Sequence, residues 1–205
     1  MEYREIGNSG IKVSSICLGT MNFSNPVNQK DSIKMLHWAI DNGINFIDTA
    51  DIYEGYDRFS GSPGGKAESI IGYGLKTKRH QTIITTKVGN HIGSKEYEGT
   101  GLSEKHITHQ INASLKRMNT DYVDIYELHK PDPETSLIET LSVIDKLIES
   151  GKVRVWGFSN FDTDQISEMI KICRENGWPN PVVNQPLYNW LIRDIEESQI
   201  DACIE

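Results

Sequence analysis

Cysteine is scarce in this chain: three in 205 residues (Cys17, Cys173 and Cys203), an odd number with no Cys-x-x-Cys pair. That excludes a disulfide framework and a thiolate metal site, and points to reduced thiols with no metal. Positive charge is also short. With 21 Lys and Arg against 29 Asp and Glu, the formal charge is -8, which argues against nucleic acid or an anionic membrane as a default partner. No block of like charge stands out, so the acidity reads as a solvated outer surface. Apolar runs are short; none approaches the ~20 residues of a membrane span. The opening Met1-Glu2-Tyr3-Arg4-Glu5 carries no apolar leader. The expectation is a soluble cytoplasmic protein, in which the glycosylation patterns at Asn22 and Asn112 arise by chance. A Gly-x-Gly-x-x-Gly fingerprint is missing after the early strands. Gly61-Ser62-Pro63-Gly64-Gly65-Lys66 has the wrong spacing for a phosphate loop and reads as a flexible insertion.

What is present alternates. Tyr3–Ile6 and Ile11–Val13 flank a Gly/Asn turn and predict a β-hairpin. Ser15-Ile16-Cys17-Leu18-Gly19 reads as a compact apolar strand. Strands are then expected at 45–49, 82–87, 122–129, 153–158 and 181–185. Helices are expected from Ser32 to Gly43, from Ala67 to about Lys78, after Ser103, from Ser136 to Gly151, after Asp162 to Gly177, and from Ile195 to Glu205. Asp162 with Gln165 has the spacing of a capping box. Strand–helix units of this kind build a parallel sheet, as a doubly wound open sheet or a (β/α)8 barrel. The barrel is favoured because polar residues gather at the ends of successive strands, where barrel enzymes place their chemistry. With 37% hydrophobic residues and no linker or low-complexity tract, residues 1–205 read as one domain.

The informative stretch is Asn45-Phe46-Ile47-Asp48-Thr49-Ala50-Asp51-Ile52-Tyr53, a buried strand that ends in a carboxylate with a tyrosine five residues on. Later strands end in Lys87, in His129, in Ser159-Asn160 and in Asn184-Gln185. In a closed barrel these converge on one mouth. A phenol is a weak acid near neutral pH, with a reference pKa of about 10. An ammonium within about 4–6 Å is expected to pull it down. Asp48 would hold Lys87 charged, and a neutral His129 could donate to a carbonyl oxygen or relay a proton. A tyrosine acid, a lysine beside it and no metal or nucleophile describe protonation of a developing alkoxide, and so carbonyl reduction by hydride.

These motifs resemble the aldo-keto reductase superfamily. The resemblance runs through Tyr3-Arg4, Gly19-Thr20-Met21, Phe46–Tyr53, Lys87-Val88-Gly89, Leu128-His129-Lys130-Pro131-Asp132, Gly157-Phe158-Ser159-Asn160 and Asn184-Gln185. It implies a (β/α)8 TIM barrel whose bottom the N-terminal hairpin closes. It implies a catalytic tetrad of Asp48, Tyr53, Lys87 and His129, with Tyr53 as general acid. Gly19, Thr20, Met21, Asp48, Ser159, Asn160 and Gln185 would lie against the cofactor. That cofactor is implied to be NADPH, bound without a Rossmann motif, with NAD left open. Phe23, Tyr56, Tyr188 and Trp190, in strand-end loops, are candidates for the wall of a pocket that takes a small-molecule carbonyl substrate. A full barrel runs to about 250 residues or more, whereas this chain stops in the helix after strand six. The expectation is therefore a C-terminally incomplete barrel of about six β/α units plus the hairpin, a truncated or partly ordered version of a longer protein. Two alternatives stand beside the enzyme: a nicotinamide-binding regulatory subunit resembling potassium-channel β-subunits, and an inactive truncated form.

Overall fold

A computed structural model describes residues 1–204, and its elements follow the expected alternation. Strands β1 (Tyr3–Glu5) and β2 (Lys12–Ser14) pair antiparallel, Tyr3 opposite Ser14. Six further strands make one parallel sheet: β3 (Cys17–Gly19), β4 (Phe46–Asp48), β5 (Ile83–Val88), β8 (Val123–Leu128), β9 (Val153–Phe158) and β10 (Val183–Asn184), in that spatial order. Between β5 and β8 lies a small antiparallel ribbon, β6 (Ile92–Gly93) with β7 (Glu98–Gly99). Helices α1 (Gln29–Asp41), α2 (Lys66–Gly74), α3 (Glu104–Met118), α4 (Leu137–Glu149), α5 (Thr163–Asn176) and α6 (Gln199–Ile204) complete the chain.

Local chemistry explains most boundaries. Asn28, Ser103 and Ser136 each accept the backbone N–H three residues on and so cap α1, α3 and α4. Asp162 and Gln165 form the reciprocal capping box at the start of α5, and Gly177 ends that helix in the left-handed conformation. Helix α1 starts three residues before the expected Ser32 because Asn28, not Ser32, takes the cap. Helix α2 ends at Gly74, short of Lys78, and a separate 3-10 turn follows at Arg79–Gln81. The expected last helix splits into a 3-10 turn, Asp194–Glu196, and α6; Glu205 lies outside the described residues. β3 lies at the sheet edge, with Cys17 and Gly19 exposed. One strand expectation is corrected in length. β10 is two residues long, not five, because only β9 pairs with it.

The hydrophobic core lies between the outer face of the sheet and the helices. Ile47, Ile84, Tyr126 and Trp156 meet Ile71, Ile107, Ile111, Leu141 and Ile166, each at 1% exposure or less. The sheet curls into part of a barrel. Gln185, just past β10, reaches the Asp48 side chain on β4 at 3.4 Å, across the ring and not along the sheet. The curl needs Gly157 on β9, where a Cβ would stand 2.4 Å from the Val183 carbonyl oxygen. At the N-terminal ends of the strands, Asp124 binds Arg79 at 2.8 Å, Arg154 at 2.7 Å and the Ile84 amide at 3.0 Å. The β1–β2 hairpin lies at the same end, with Gly7 packed against Val182. This matches the bottom closure that the resemblance implied.

Candidate active site

Lys87 organises the opposite end. It is the last but one residue of β5, and β-branched neighbours hold the strand straight and buried on both faces. Its side chain, only 1% exposed, crosses to the end of β4. There Nζ donates to the Asp48 carboxylate, to the Thr49 carbonyl oxygen at 2.8 Å and to the Tyr53 hydroxyl at 3.3 Å. Nζ also stands 4.9 Å from the centre of the Tyr53 ring. The His129 ring meets Tyr53 edge to face, with centroids 6.1 Å apart. The structure thus brings Asp48, Tyr53, Lys87 and His129 into one cluster. The turn after β4 is fixed by Thr20, whose backbone N–H and hydroxyl both donate to the Asp48 carbonyl oxygen, at 3.0 and 2.9 Å.

Burial and charge act against each other here. Burial pushes the Lys87 ammonium down, but Asp48, with Tyr53 and Glu127, more than offsets this, and the net shift is upward. Lys87 therefore stays charged. For Tyr53 the expectation of a lowered phenol is corrected. Burial raises it more than Lys87 lowers it, and Asp48 pushes the same way as burial, so the net shift is upward. The phenol holds its proton at neutral pH. His129 is pushed down to about 4, first by burial and then by Lys87, Lys130 and Arg58, so its imidazole is neutral. Its Nδ1 is buried and has no partner among the described residues.

The ends of β9 and β10 stand beside this cluster. Ser159 donates through its hydroxyl to the Gln185 carbonyl oxygen at 2.7 Å and accepts from Asn160 at 2.9 Å. Asn160, in the left-handed region at φ +64°, also donates to the His129 carbonyl oxygen at 2.9 Å. Ser159 therefore braces the two strand ends. The side-chain oxygen of Asn160 and the second amide proton of Gln185, whose first is directed at Asp48, remain for a ligand. A carboxamide carries one acceptor and one pair of donors, which this acceptor and amide complement. The donor set therefore fits the nicotinamide end of the implied cofactor. Gly19 and Met21 lie exposed at the edge-strand end, while Thr20 is fully buried.

The pocket-wall expectations divide. Phe23, at 1% exposure, belongs to the core cluster. Tyr56, Tyr188 and Trp190 are open to solvent at 73%, 50% and 91% exposure. Tyr188 is held by Glu196 at 2.6 Å. The Gly61–Lys66 segment is packed, not a flexible insertion: Ser62 is fully buried, and Gly64 lies so close that a Cβ would stand 2.1 Å from the Asp51 carbonyl oxygen. Sequence reasoning assigned nothing to Asp51, Glu68 or Glu127, all buried at 2% or less. Glu68 pairs with Arg117 at 2.6 Å and accepts from Thr86 at 2.6 Å. For Glu127 and Glu68 the sequence signal was a carboxylate inside an apolar strand and on the inner stripe of a helix.

The model of the Aldo/keto reductase family matches residues 15–205. The chain belongs to that family, whose fold is the (β/α)8 barrel. A probable voltage-gated potassium channel subunit beta of Arabidopsis thaliana is 33% identical over 203 residues, covering 97% of this chain and 58% of that protein. A putative subunit of the same kind from Schizosaccharomyces pombe is 36% identical, with 97% and 56% covered. The versiconal hemiacetal acetate reductase of Aspergillus parasiticus is 31% identical over 230 residues, with 100% and 64% covered. The chain therefore spans somewhat over half the length of these relatives.

Proposed function

We propose that the protein reduces an aldehyde or ketone to an alcohol, with Tyr53 as general acid and NADPH, or NADH, as the reductant. The observation that carries this reading is the buried ammonium of Lys87, hydrogen-bonded to both the Tyr53 hydroxyl and the Asp48 carboxylate. The nicotinamide, when bound, supplies the hydride. Tyr53 keeps its proton until a strongly basic alkoxide develops beside it, then gives it up while Lys87 stabilises the phenolate. Asp48 holds Lys87 in place and in charge. Neutral His129 donates a ring N–H to the carbonyl oxygen and orients it. Asn160 and Gln185 hold the carboxamide, with Ser159 bracing them and Gly19, Thr20 and Met21 flanking. The exposed Tyr56, Tyr188 and Trp190 offer an apolar approach for the substrate.

Tyr53→Phe removes the proton and keeps the ring. Turnover of a reactive aldehyde, followed by loss of nicotinamide absorbance, should fall by about 10²–10⁴. Cofactor binding, followed by fluorescence, should persist. Unchanged turnover in the variant would exclude Tyr53 as the acid. A second reading, a nicotinamide-binding regulatory subunit, rests on relatives named as potassium channel β-subunits. It expects a co-purifying partner and no carbonyl-dependent oxidation of the cofactor.

A further inference from the structure

Glu127 is left without a role by the chemistry above, yet it lies against Lys87. The two are register partners on β8 and β5, so their side chains share the inner face of the sheet. Glu127 is 2% exposed, and its Oε2 is buried with no hydrogen-bond partner among the described residues. Lys87 could satisfy it, but the three protons of its ammonium are already committed to Asp48, Thr49 and Tyr53. From the other side β9 presents Gly157, the register partner of Glu127, which has no side chain to offer. Thr85, two residues below Lys87 on the same face, is likewise buried with an unbonded hydroxyl. With Oε2 so placed, a negative charge on the carboxyl is costly and the protonated form is favoured.

The charged and titratable groups around it come from three other elements. Lys87 belongs to β5, Asp48 and the nearby Tyr53 to β4 and its turn, and Cys17 to the edge strand β3. Burial pushes Glu127 up to about 8, with Lys87 pulling it down and Asp48 pushing it up. Glu127 in turn pushes Tyr53, Lys87 and Cys17 upward.

We propose that Glu127 is a positioning residue which, while protonated, leaves the Lys87 charge to Tyr53 and, once ionised, competes for it. The proposal deepens the carbonyl-reduction reading and rests on it for its meaning, but its test does not require turnover. An ultraviolet difference titration between the protein and its Tyr53→Phe variant isolates the ionisation of the Tyr53 phenol. Repeated in the Glu127→Gln background, where no charge can form, the Tyr53 midpoint should fall by about one pH unit. An unchanged midpoint overturns the proposal. A second measurement leaves Glu127 in place. The carbon-13 resonance of its carboxyl should titrate well above the usual ~4.3, and higher still in Lys87→Met, where the attracting charge is gone. A midpoint in the ordinary carboxylate range overturns the proposal whether or not the glutamine variant folds. Failure of the protein to reduce any carbonyl would remove the proposed reaction and leave both titrations standing.

Discussion

Replacing Lys87 by methionine tests the centre of the site through stability. Methionine fills much of the volume of the lysine stem and removes only the charged end. What it strands is specific. Asp48, with a side chain 13% exposed, would retain only the 3.4 Å approach of Gln185, and the Thr49 carbonyl would lose the donor at 2.8 Å. Removing one partner of a buried ion pair costs about 3–5 kcal/mol. The residual access of Asp48 to water at the barrel mouth places this case near the lower end, about 3 kcal/mol. The double variant Asp48→Asn, Lys87→Met no longer strands a charge. It should be more stable than Lys87→Met alone by about 1–2 kcal/mol. Urea unfolding at pH 7, followed by tryptophan fluorescence, measures all three differences, with an unchanged denaturant slope as the control for two-state behaviour. If Lys87→Met lies within about 0.5 kcal/mol of the parent, or the double variant is less stable than the single one, Lys87 is not what neutralises Asp48.

Three further expectations concern the frame around the site. His106 is 1% exposed and pushed down from 6.5 to about 4 by burial. Because its folded value is the lower one, the unfolded chain binds more protons between those limits. Stability should decline as pH falls from 6.5 to 4, and denaturation at several pH values should show a shallower decline in His106→Gln. Asp124→Ala would leave Arg79 and Arg154 without their shared carboxylate and the Ile84 amide without an acceptor. A loss of about 3 kcal/mol, with the ionisation of Tyr53 unchanged, would separate the stabilising end of the barrel from the chemical one. Gly64→Ala combines φ +67° with a Cβ 2.1 Å from the Asp51 carbonyl oxygen. The strain alone is worth about 1–3 kcal/mol, so thermal unfolding should show a clearly lowered midpoint.

The sequence disclosed most where one local rule governed the outcome. The Asp162–Gln165 capping box, the terminal Gly177 and the β-branched run ending at Lys87 all depend on near neighbours, and each element formed as expected. The cluster of Asp48, Tyr53, Lys87 and His129 was legible because parallel strands carry their C-terminal ends to a common rim. Burial was harder to read. Phe23 looks like any aromatic in a strand-end loop, yet it is folded into the core. The direction of the Tyr53 shift depends on how deeply the ring lies, which no spacing encodes, and burial there outweighs the neighbouring ammonium. Glu127 stood inside an apolar run, where a reading by period counts one polar residue and moves on. The β6–β7 ribbon was missed because Ser94-Lys95-Glu96 and the flanking glycines carry none of the β-branched signal of a strand.

The contact between Gln185 and Asp48 joins residues separated by 137 positions in the chain. It spans the diameter of the curl, not one step along the sheet, so it works as a gauge of curvature. A change that flattened the wall anywhere between β4 and β10 would lengthen that span and release one side of the aspartate that steadies the ammonium. Shape and acidity are thereby linked, and substitutions far from the rim should shift the ionisation of Tyr53 without touching Tyr53, Lys87 or Asp48.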